Sequence, residues 1–408
     1  MNEVVKGAGN PQSLAHGGWH ILREEVSFPV AVLSQSAINN NAKWMSDFCQ
    51  KAEVNLAPHG KTTMAPELFK MQLEHGAWGI TLATVAQVLN AVNHGVKRII
   101  LANQLVGKYH FEQIANLLES TDVEFYCFVD SVENAKQIGR FFDARKVSIN
   151  ILLEIGAQGG RCGWRDVNNA EAFLAACKQH PSIKLAGIGF YEGVIGGSNA
   201  LEKVTSFVDE IYQLASTLKK QNALTLDKPI ITGAGSAWYD IVANTLGKHN
   251  HQKNFNLVIR PGCYLIHDTG IYQDAQNAVM ARSQLACDVT GALASSLTVW
   301  AYVVSRPEAG LAIVGLGKRD VAFDAGLPKA ELIYHVDNQT LQPADALIET
   351  VKIMDQHAML TLPDNCNLKV GDMVCFSTSH PCLTFDKWRQ VAIVDDDWVI
   401  RKTISTFF

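Results

Sequence analysis

Between about residue 54 and residue 279, short aliphatic and β-branched runs alternate with amphipathic stretches, and this rhythm carries the fold. The runs are "VNLAPH" from Val54, "WGITLA" from Trp78, "RIILAN" from Arg98, "EFYCFVD" from Glu124, "VSINILLEI" from Val147, "LAGIGFY" from Leu185, "PIITGA" from Pro229 and "NLVIRPG" from Asn256. Between them lie segments with helical spacing: "APELFKMQLEHG", "TVAQVLNAVNHG", "FEQIANLLES", "SVENAKQIGRFF", "VNNAEAFLAACKQH" and "ALEKVTSFVDEIYQLASTLKKQ". Several end in glycine or a basic residue, as helix C-termini do. Strands that are apolar on both faces, each followed by a crossover helix, describe a parallel sheet covered on both sides. Eight such strands are the number that closes a (β/α)8 barrel, with an open doubly wound sheet as the alternative.

The rhythm changes after residue 280. "ACDVTGALASSLTVWAYVVSRPEAGLAIVGLG", "ELIYHVD", "TVKIMDQHAMLTL", "VGDMVCFSTSHPC" and "RQVAIVDDDWVIRKTISTF" read as short strands separated by turn residues. The expected division is a barrel over 26–279 and a mostly antiparallel β domain over 280–408. Residues 1–25 are a candidate addition to the second domain, because "WHILREEV" precedes the barrel and reads as a strand.

Composition narrows the class of protein. The chain has 408 residues, 48% of them hydrophobic and 18% charged, with a net charge of -5. That balance fits a globular protein of two domains and offers no basic stripe for nucleic acid. No apolar stretch reaches the length of a membrane span, and the polar opening lacks the regions of a secretory leader, so the expected location is cytoplasmic. Nine cysteines, odd in number and without a C-x-x-C pair, read as reduced thiols rather than a disulfide framework.

In a (β/α)8 barrel the chemistry gathers at the C-terminal ends of the strands. Lys61, in "PHGKTT", follows the first strand and is either a solvated loop residue or a positioned amine. "TGAGSAW" follows the seventh, where Gly233, Gly235 and Ser236 would turn backbone N–H groups and a hydroxyl toward an anion. A lysine amine and a phosphate cradle at one barrel mouth point to pyridoxal phosphate. Arg161 on the glycine-rich "GAQGGRCGW" would meet the ring phenolate or a substrate carboxylate. Tyr191 in "FYEG" would reach the pyridine nitrogen, and "RPGCYLIHD" brings Arg260, Tyr264 and His267 near the mouth.

Together, "PHGKTTMAPEL", "GGRCG", "YEG", "TGAGS", "RPGCY" and "SHPCLTFDKW" resemble the metal-activated pyridoxal enzymes, a group of D-serine dehydratases, D-threo-3-hydroxyaspartate dehydratases and D-threonine aldolases related to the alanine racemase barrel. The resemblance runs through nearly the whole chain. It implies that Lys61 carries the cofactor, that Gly233, Gly235 and Ser236 hold its phosphate, that Tyr191 lies by the pyridine nitrogen and that Arg161 approaches the ring. His59 and Tyr264 are further candidate cofactor contacts. A homodimer is implied as well.

The most discriminating stretch is "STSHPCLTFDKW". On an extended strand His380 and Cys382, two apart, would point the same way and meet one ion. Imidazole with thiolate suits zinc, or another divalent metal, and leaves positions open for substrate. In the resemblance, aldolase-like members place a carboxylate where this chain has Cys382, so H-x-C implies the dehydratase branch: a D-3-hydroxy amino acid converted to a 2-oxo acid and ammonia. The alternatives are a retro-aldol lyase, an amino acid racemase and a non-catalytic pyridoxal phosphate carrier. Leu383 stands where relatives often carry threonine, and Asp386 and Trp388 have no assigned role.

Overall fold

The computed structural model describes residues 5–7, 18–167 and 169–408. Most of the polar opening stretch, and Asn168 within the fifth helical segment, lie outside the described residues. A first strand, β1 (Val30–Ser34), precedes the eight apolar runs, which are β2 (Asn55–Leu56), β3 (Ile80–Leu82), β4 (Arg98–Gln104), β5 (Glu124–Val129), β6 (Ile149–Ile155), β7 (Ile183–Phe190), β8 (Ile230–Gly233) and β9 (Asn256–Ile259). The eight form one parallel sheet in the order β2-β9-β8-β7-β6-β5-β4-β3. Its two ends meet. Trp78 N donates to Leu56 O at 2.7 Å, Thr81 N donates to Pro58 O at 2.9 Å, and His59 pairs with Thr81 in a parallel bridge. The sheet therefore curls round into a barrel instead of staying open.

Alternation along each strand divides two cores. Inward-facing Ala57, Ile100, Tyr126, Phe128, Leu152, Ala186, Ile230 and Val258 fill the barrel as one buried cluster. Side chains of opposite parity pack against the helices. The six helical segments are all helices; Ala200–Lys220, for example, buries Val204, Phe207, Val208, Ile211, Ala215 and Leu218, a stripe at three- and four-residue spacing. Ser131 and Thr84 cap two others by accepting from the N–H three residues on. Among the described residues no helix is long and apolar enough to cross a membrane.

Three long helices escape the periodic reading, Gln35–Ala52, Tyr239–His249 and Ile271–Arg282, as does the short helix Gln284–Cys287, which runs into a stretch read as strand. The first is polar over its N-terminal half, yet Asn41 is fully buried there. Its amide donates to Leu265 O and Ala294 O and accepts from Ala294 N, tying the helix to two loops. The third buries only Gln276 and Val279, so it shows almost no apolar face.

The remaining strands are β10 (Leu297–Glu308), β11 (Leu311–Val314), β12 (Lys329–His335), β13 (Thr340–Pro343), β14 (Glu349–Ile353), β15 (Ala358–Thr361), β16 (Met373–Ser377), β17 (Gln390–Val394) and β18 (Ile400–Ser405). They build a mostly antiparallel second sheet, with β13-β12-β16-β10-β1-β17-β18 along its main path. Its centre includes β1, antiparallel to β10 and parallel to β17. Two expectations are corrected here. Residues 30–34 belong to the second sheet and not to the barrel, because Val30 and Val32 pack with Trp300, Met373 and Ile400. "WHILREEV" is not a strand but a single 3-10 turn, Ile21–Arg23, capped by the His20 ring and anchored where Ile21 N donates to Trp398 O.

The chain after β9 docks on the end of β16. Thr269 N donates to Thr378 O at 3.3 Å, and the Thr269 and Ser377 hydroxyls lie 2.6 Å apart. Gly270 approaches so closely that a Cβ there would stand 2.9 Å from Ser379 O. Asp268, buried, holds the turn together: its Oδ1 accepts from the N–H groups of Gly270, Tyr272 and Gln273. Its Oδ2 is buried without a partner. Burial pushes this carboxyl up to about 6. The folded protein thus holds the Asp268 proton more tightly than the unfolded chain, whose aspartates titrate near 3.9, and this contribution to stability is lost as pH rises through about 6. Asp268→Asn keeps the accepting Oδ1 and removes the titration. Urea denaturation at about pH 4.5 and about pH 7 should show the variant gaining on the native protein at the higher pH; an equal difference at both would refute the assignment.

Candidate active site

A cavity of about 500 Å³ opens where the barrel mouth meets the second sheet. It is lined by His59, Lys61, Arg161, Tyr191, Gly235, Ser236 and Arg260 from the barrel side, and by His380, Cys382, Leu383 and Asp386 from the other. A hollow of similar size, about 530 Å³, lies among Lys51, Glu53, Lys228 and Lys253 near the starts of β2 and β9. That is the stable end of a barrel, away from the loops that carry chemistry.

Lys61 sits in the 3-10 turn Gly60–Thr62 just beyond β2, and its side chain is exposed to the cavity. The turn is packed from below: a Cβ on Gly60 would stand 2.7 Å from the Phe69 ring. It is also held from the side, since a Cβ on Gly262 would stand 2.6 Å from His59 O. His59 Nδ1 is buried without a partner. Burial first, then the charges of Lys61, Arg260 and Arg161, hold this imidazole well below its usual range, so it is neutral at pH 7.

Tyr191 follows β7, and the Arg161 guanidinium lies over its ring at 4.7 Å. Both flanking glycines are steric requirements: a Cβ on Gly193 would stand 2.3 Å from the Tyr191 hydroxyl, and one on Gly235 would stand 3.0 Å from the ring. Arg260 is buried beside them, donating to Phe190 O and leaving Nε without a partner. Burial brings its guanidinium down to about 10, against the pull of Glu192 and Glu154.

The "TGAGS" turn departs from expectation. Gly233 ends β8, paired with Ile259, and is packed against the Phe190 ring rather than facing the cavity. Gly235 N and Ala234 N donate to the Glu192 carboxylate at 2.8 and 3.0 Å. Of the three residues read as a phosphate cradle, Gly235 donates to Glu192 and Gly233 lies within the sheet, which leaves Ser236 on the cavity with its donors uncommitted to either. Glu192 was quoted within "YEG" without a role. It is fully buried, and burial raises its carboxyl despite the two backbone donors. Tyr264 also lies elsewhere: its hydroxyl accepts from Gln72, and with His267 and Gln276 it lines a small separate hollow behind Ser236.

His380 and Cys382 do come together, though not on a strand. His380 follows the end of β16, and Cys382 opens the short helix Cys382–Phe385. The His380 carbonyl accepts from the Thr384 hydroxyl, which in turn accepts from Ala322 N. Asp324 Oδ2 lies 2.8 Å from His380 Nδ1, which fixes the ring and leaves Nε2 for the Cys382 side. Hydrogen bonding to Cys382 and then to Asp324 raises His380 to about 9. Hydrogen bonding with Cys263, and then with His380 and Thr62, lowers the Cys382 thiol. The two shifts run in opposite directions, His380 up and Cys382 down, which favours the proton on the imidazole, where a metal ion would replace it.

Sequence reasoning missed two residues of this wall. Cys263 Sγ lies 3.5 Å from Cys382 Sγ, and the Tyr272 ring stands edge-on to His380 with centroids 6.1 Å apart. Tyr272 belongs to the helix without an apolar stripe, so no periodicity marks it; Cys263 lay within the quoted "RPGCY". Asp130, Glu154 and Cys162 form a second group whose ligand atoms lie within 4.8 Å of one another. They already hold the "GGRCG" loop and its neighbours: Gly163 N donates to Asp130 and Gln104 donates to Glu154.

Orphaned nitrogens on His59 and Arg260, an exposed lysine amine and Ser236 around one cavity fit an anionic, aldehyde-bearing cofactor. Comparison with known proteins agrees. The model described as "Alanine racemase, N-terminal domain" matches residues 33–269, and the "Putative serine dehydratase domain" matches residues 296–394. A D-threonine aldolase of Arthrobacter sp is 25% identical over 331 residues, 80% of each chain. The crystal structure of D-threonine aldolase from Filomicrobium marinum superposes with a TM-score of 0.77 at 20% identity, covering 96% of this chain and 97% of that one. D-threo-3-hydroxyaspartate dehydratase from Delftia sp. HT23 gives 0.73 at 17% identity, covering 95% and 99%. With the alanine racemase N-terminal domain spanning more than half its length, the chain belongs to the fold type III pyridoxal phosphate enzymes.

Proposed function

We propose that this enzyme is a metal-dependent lyase that removes water and then ammonia from D-3-hydroxy amino acids to leave 2-oxo acids. The observation that carries the reading is the His380–Cys382 pair, oriented by Asp324, on the same cavity as the Lys61 amine. A racemase barrel needs no imidazole–thiolate pair there, and neither does a cofactor carrier.

Lys61 would hold the cofactor aldehyde, Ser236 its phosphate, and Arg161 the phenolate side of the ring. Tyr191 and Arg260 lie within the same wall. The cofactor supplies an electron sink that acidifies the substrate α-carbon. Zinc on His380 and Cys382 would supply a Lewis acid that lowers the basicity of the departing hydroxide. The chain's own contributions are concrete. The Lys61 amine would take the substrate α-proton, neutral His59 on the same wall adds no competing charge, and Asp324 keeps the His380 ring in register.

The charge distribution bears on the substrate. The lysine and arginines of the cavity, Lys61, Arg161 and Arg260, all come from the barrel, whereas the second-domain wall presents Leu383 and Asp386 beside the metal pair. A β-carboxylate next to the metal would meet no lysine or arginine among the lining residues of that wall, where Asp386 is already paired with Lys387 at 3.5 Å. D-Serine and D-threonine fit it better than 3-hydroxyaspartate.

Three outcomes are expected. Enzyme loaded with pyridoxal phosphate and zinc releases ammonia and 2-oxo acid in equal amounts from D-serine or D-threonine, and a chelator abolishes both; an aldehyde with glycine would instead favour the aldolase activity named in several relatives. D-threo-3-hydroxyaspartate is turned over with kcat/KM at least roughly tenfold lower, the equivalent of about 1.4 kcal/mol, and parity would remove the charge argument. Lys61→Ala leaves no cofactor attached after borohydride treatment and peptide mapping, whereas retention on another peptide would displace Lys61 from its role.

A further inference from the structure

Cys263 is a sulfur that the proposed reaction does not use. It is buried on the segment after β9, with Sγ 3.5 Å from Cys382 Sγ and 3.7 Å from Thr62 Oγ1. Thr62 Oγ1 also lies 3.4 Å from Cys382 Sγ, so one hydroxyl bridges the two sulfurs. The segments that carry them are fastened together by the Thr269–Thr378 and Thr269–Ser377 hydrogen bonds, and the close fit of Gly270 against Ser379 leaves little room for them to part. Two sulfurs 3.5 Å apart on braced segments have roughly 1.5 Å to close to reach the bonding distance of about 2.05 Å. Access is unequal. Both sulfurs belong to residues of the cavity wall, but Cys382 is half-buried, where a small oxidant reaches it, whereas Cys263 is buried with 4% of its surface exposed.

We propose that Cys263 and Cys382 are a reversible disulfide site, with Cys382 the sulfur oxidised first and Cys263 the one that resolves it. The oxidant class is a peroxide. Cys382 thiolate attacks one peroxide oxygen, the O–O bond breaks, and the departing hydroxide takes a proton to become water, leaving a sulfenic acid. Cys263 sulfur then attacks Cys382 sulfur, the S–O bond breaks, and hydroxide leaves with the Cys263 proton as a second water. Two thiols lose two electrons in all, and one hydrogen peroxide is reduced to two waters. A sulfur in a disulfide is no thiolate, so the oxidised protein loses half of its His380–Cys382 donor pair. Zinc already on Cys382 would block the first step. This coupling rests on the metal reading given above; the cross-link itself does not.

The test uses the full-length, metal-free protein treated with one equivalent of hydrogen peroxide, alkylated, digested and mapped by mass spectrometry. The expected result is a linked peptide pair containing Cys263 and Cys382, a fall of two in the nine titratable thiols, and full recovery with dithiothreitol. Cys263→Ser, its fold checked by circular dichroism and treated alongside the native protein with two or more equivalents of peroxide, should instead carry Cys382 on to sulfinic acid that dithiothreitol does not reverse. The proposal is overturned if Cys263 remains alkylatable while Cys382 is oxidised, if Cys382 links to a different cysteine, or if the serine variant recovers as fully as the native protein. Saturating zinc should prevent the cross-link. Its formation at an unchanged rate would overturn the coupling and the metal assignment at Cys382, yet leave the disulfide site standing.

Discussion

The seam between the barrel and the second sheet is the constraint on which the site depends. Residues 260–270 leave the barrel after β9 and press against residues 377–382, joined by backbone and hydroxyl hydrogen bonds and by a glycine too close to Ser379 to carry a side chain. From this seam Arg260 and Cys263 face one way and His380 and Cys382 the other, around one cavity. Neither domain has a complete site alone: the barrel supplies the amine and cationic groups, the second sheet the imidazole and thiolate. Placing β1 in the second sheet, before the chain enters the barrel, strengthens that arrangement, because it makes the two units continuous at both ends of the barrel.

Charge inside the cavity is balanced by burial as much as by pairing. Glu154 and Glu192 are pushed up by desolvation, Arg260 down, and His59 stays neutral among three cations. Such a site is tuned for a bound dianion: orphaned donors on His59 and Arg260 are costly until something accepts from them. Glu192 plays a different part. By accepting from Ala234 and Gly235 it fixes the turn that carries Ser236, so the loop is set before any phosphate arrives.

Much of this was legible in the residues. Eight apolar runs gave eight strands, since parallel strands buried on both faces leave an unbroken apolar signature, and strand ends located Lys61, Arg161, Tyr191 and Ser236 on one cavity. What stayed hidden has physical reasons. Gly235 and Gly233 looked like phosphate donors because a glycine turn does not disclose where its N–H groups go; here Gly235 donates to a buried glutamate and Gly233 belongs to the end of a strand. Helix Ile271–Arg282 shows no stripe because it is held by the Asp268 cap and two buried residues, and Tyr272 was lost with it. His380 and Cys382 were joined by the wrong reasoning, strand parity, where a turn into a short helix does the work.

The central claim is that one cavity holds both the cofactor lysine and a metal on His380 and Cys382. Crystals of the protein loaded with pyridoxal phosphate and zinc, measured at the zinc absorption edge, test it most directly. The account predicts an anomalous peak bonded to His380 Nε2 and Cys382 Sγ, in the cavity that Lys61 enters. A peak among Asp130, Glu154 and Cys162 instead, with His380 and Cys382 bare, would contradict it.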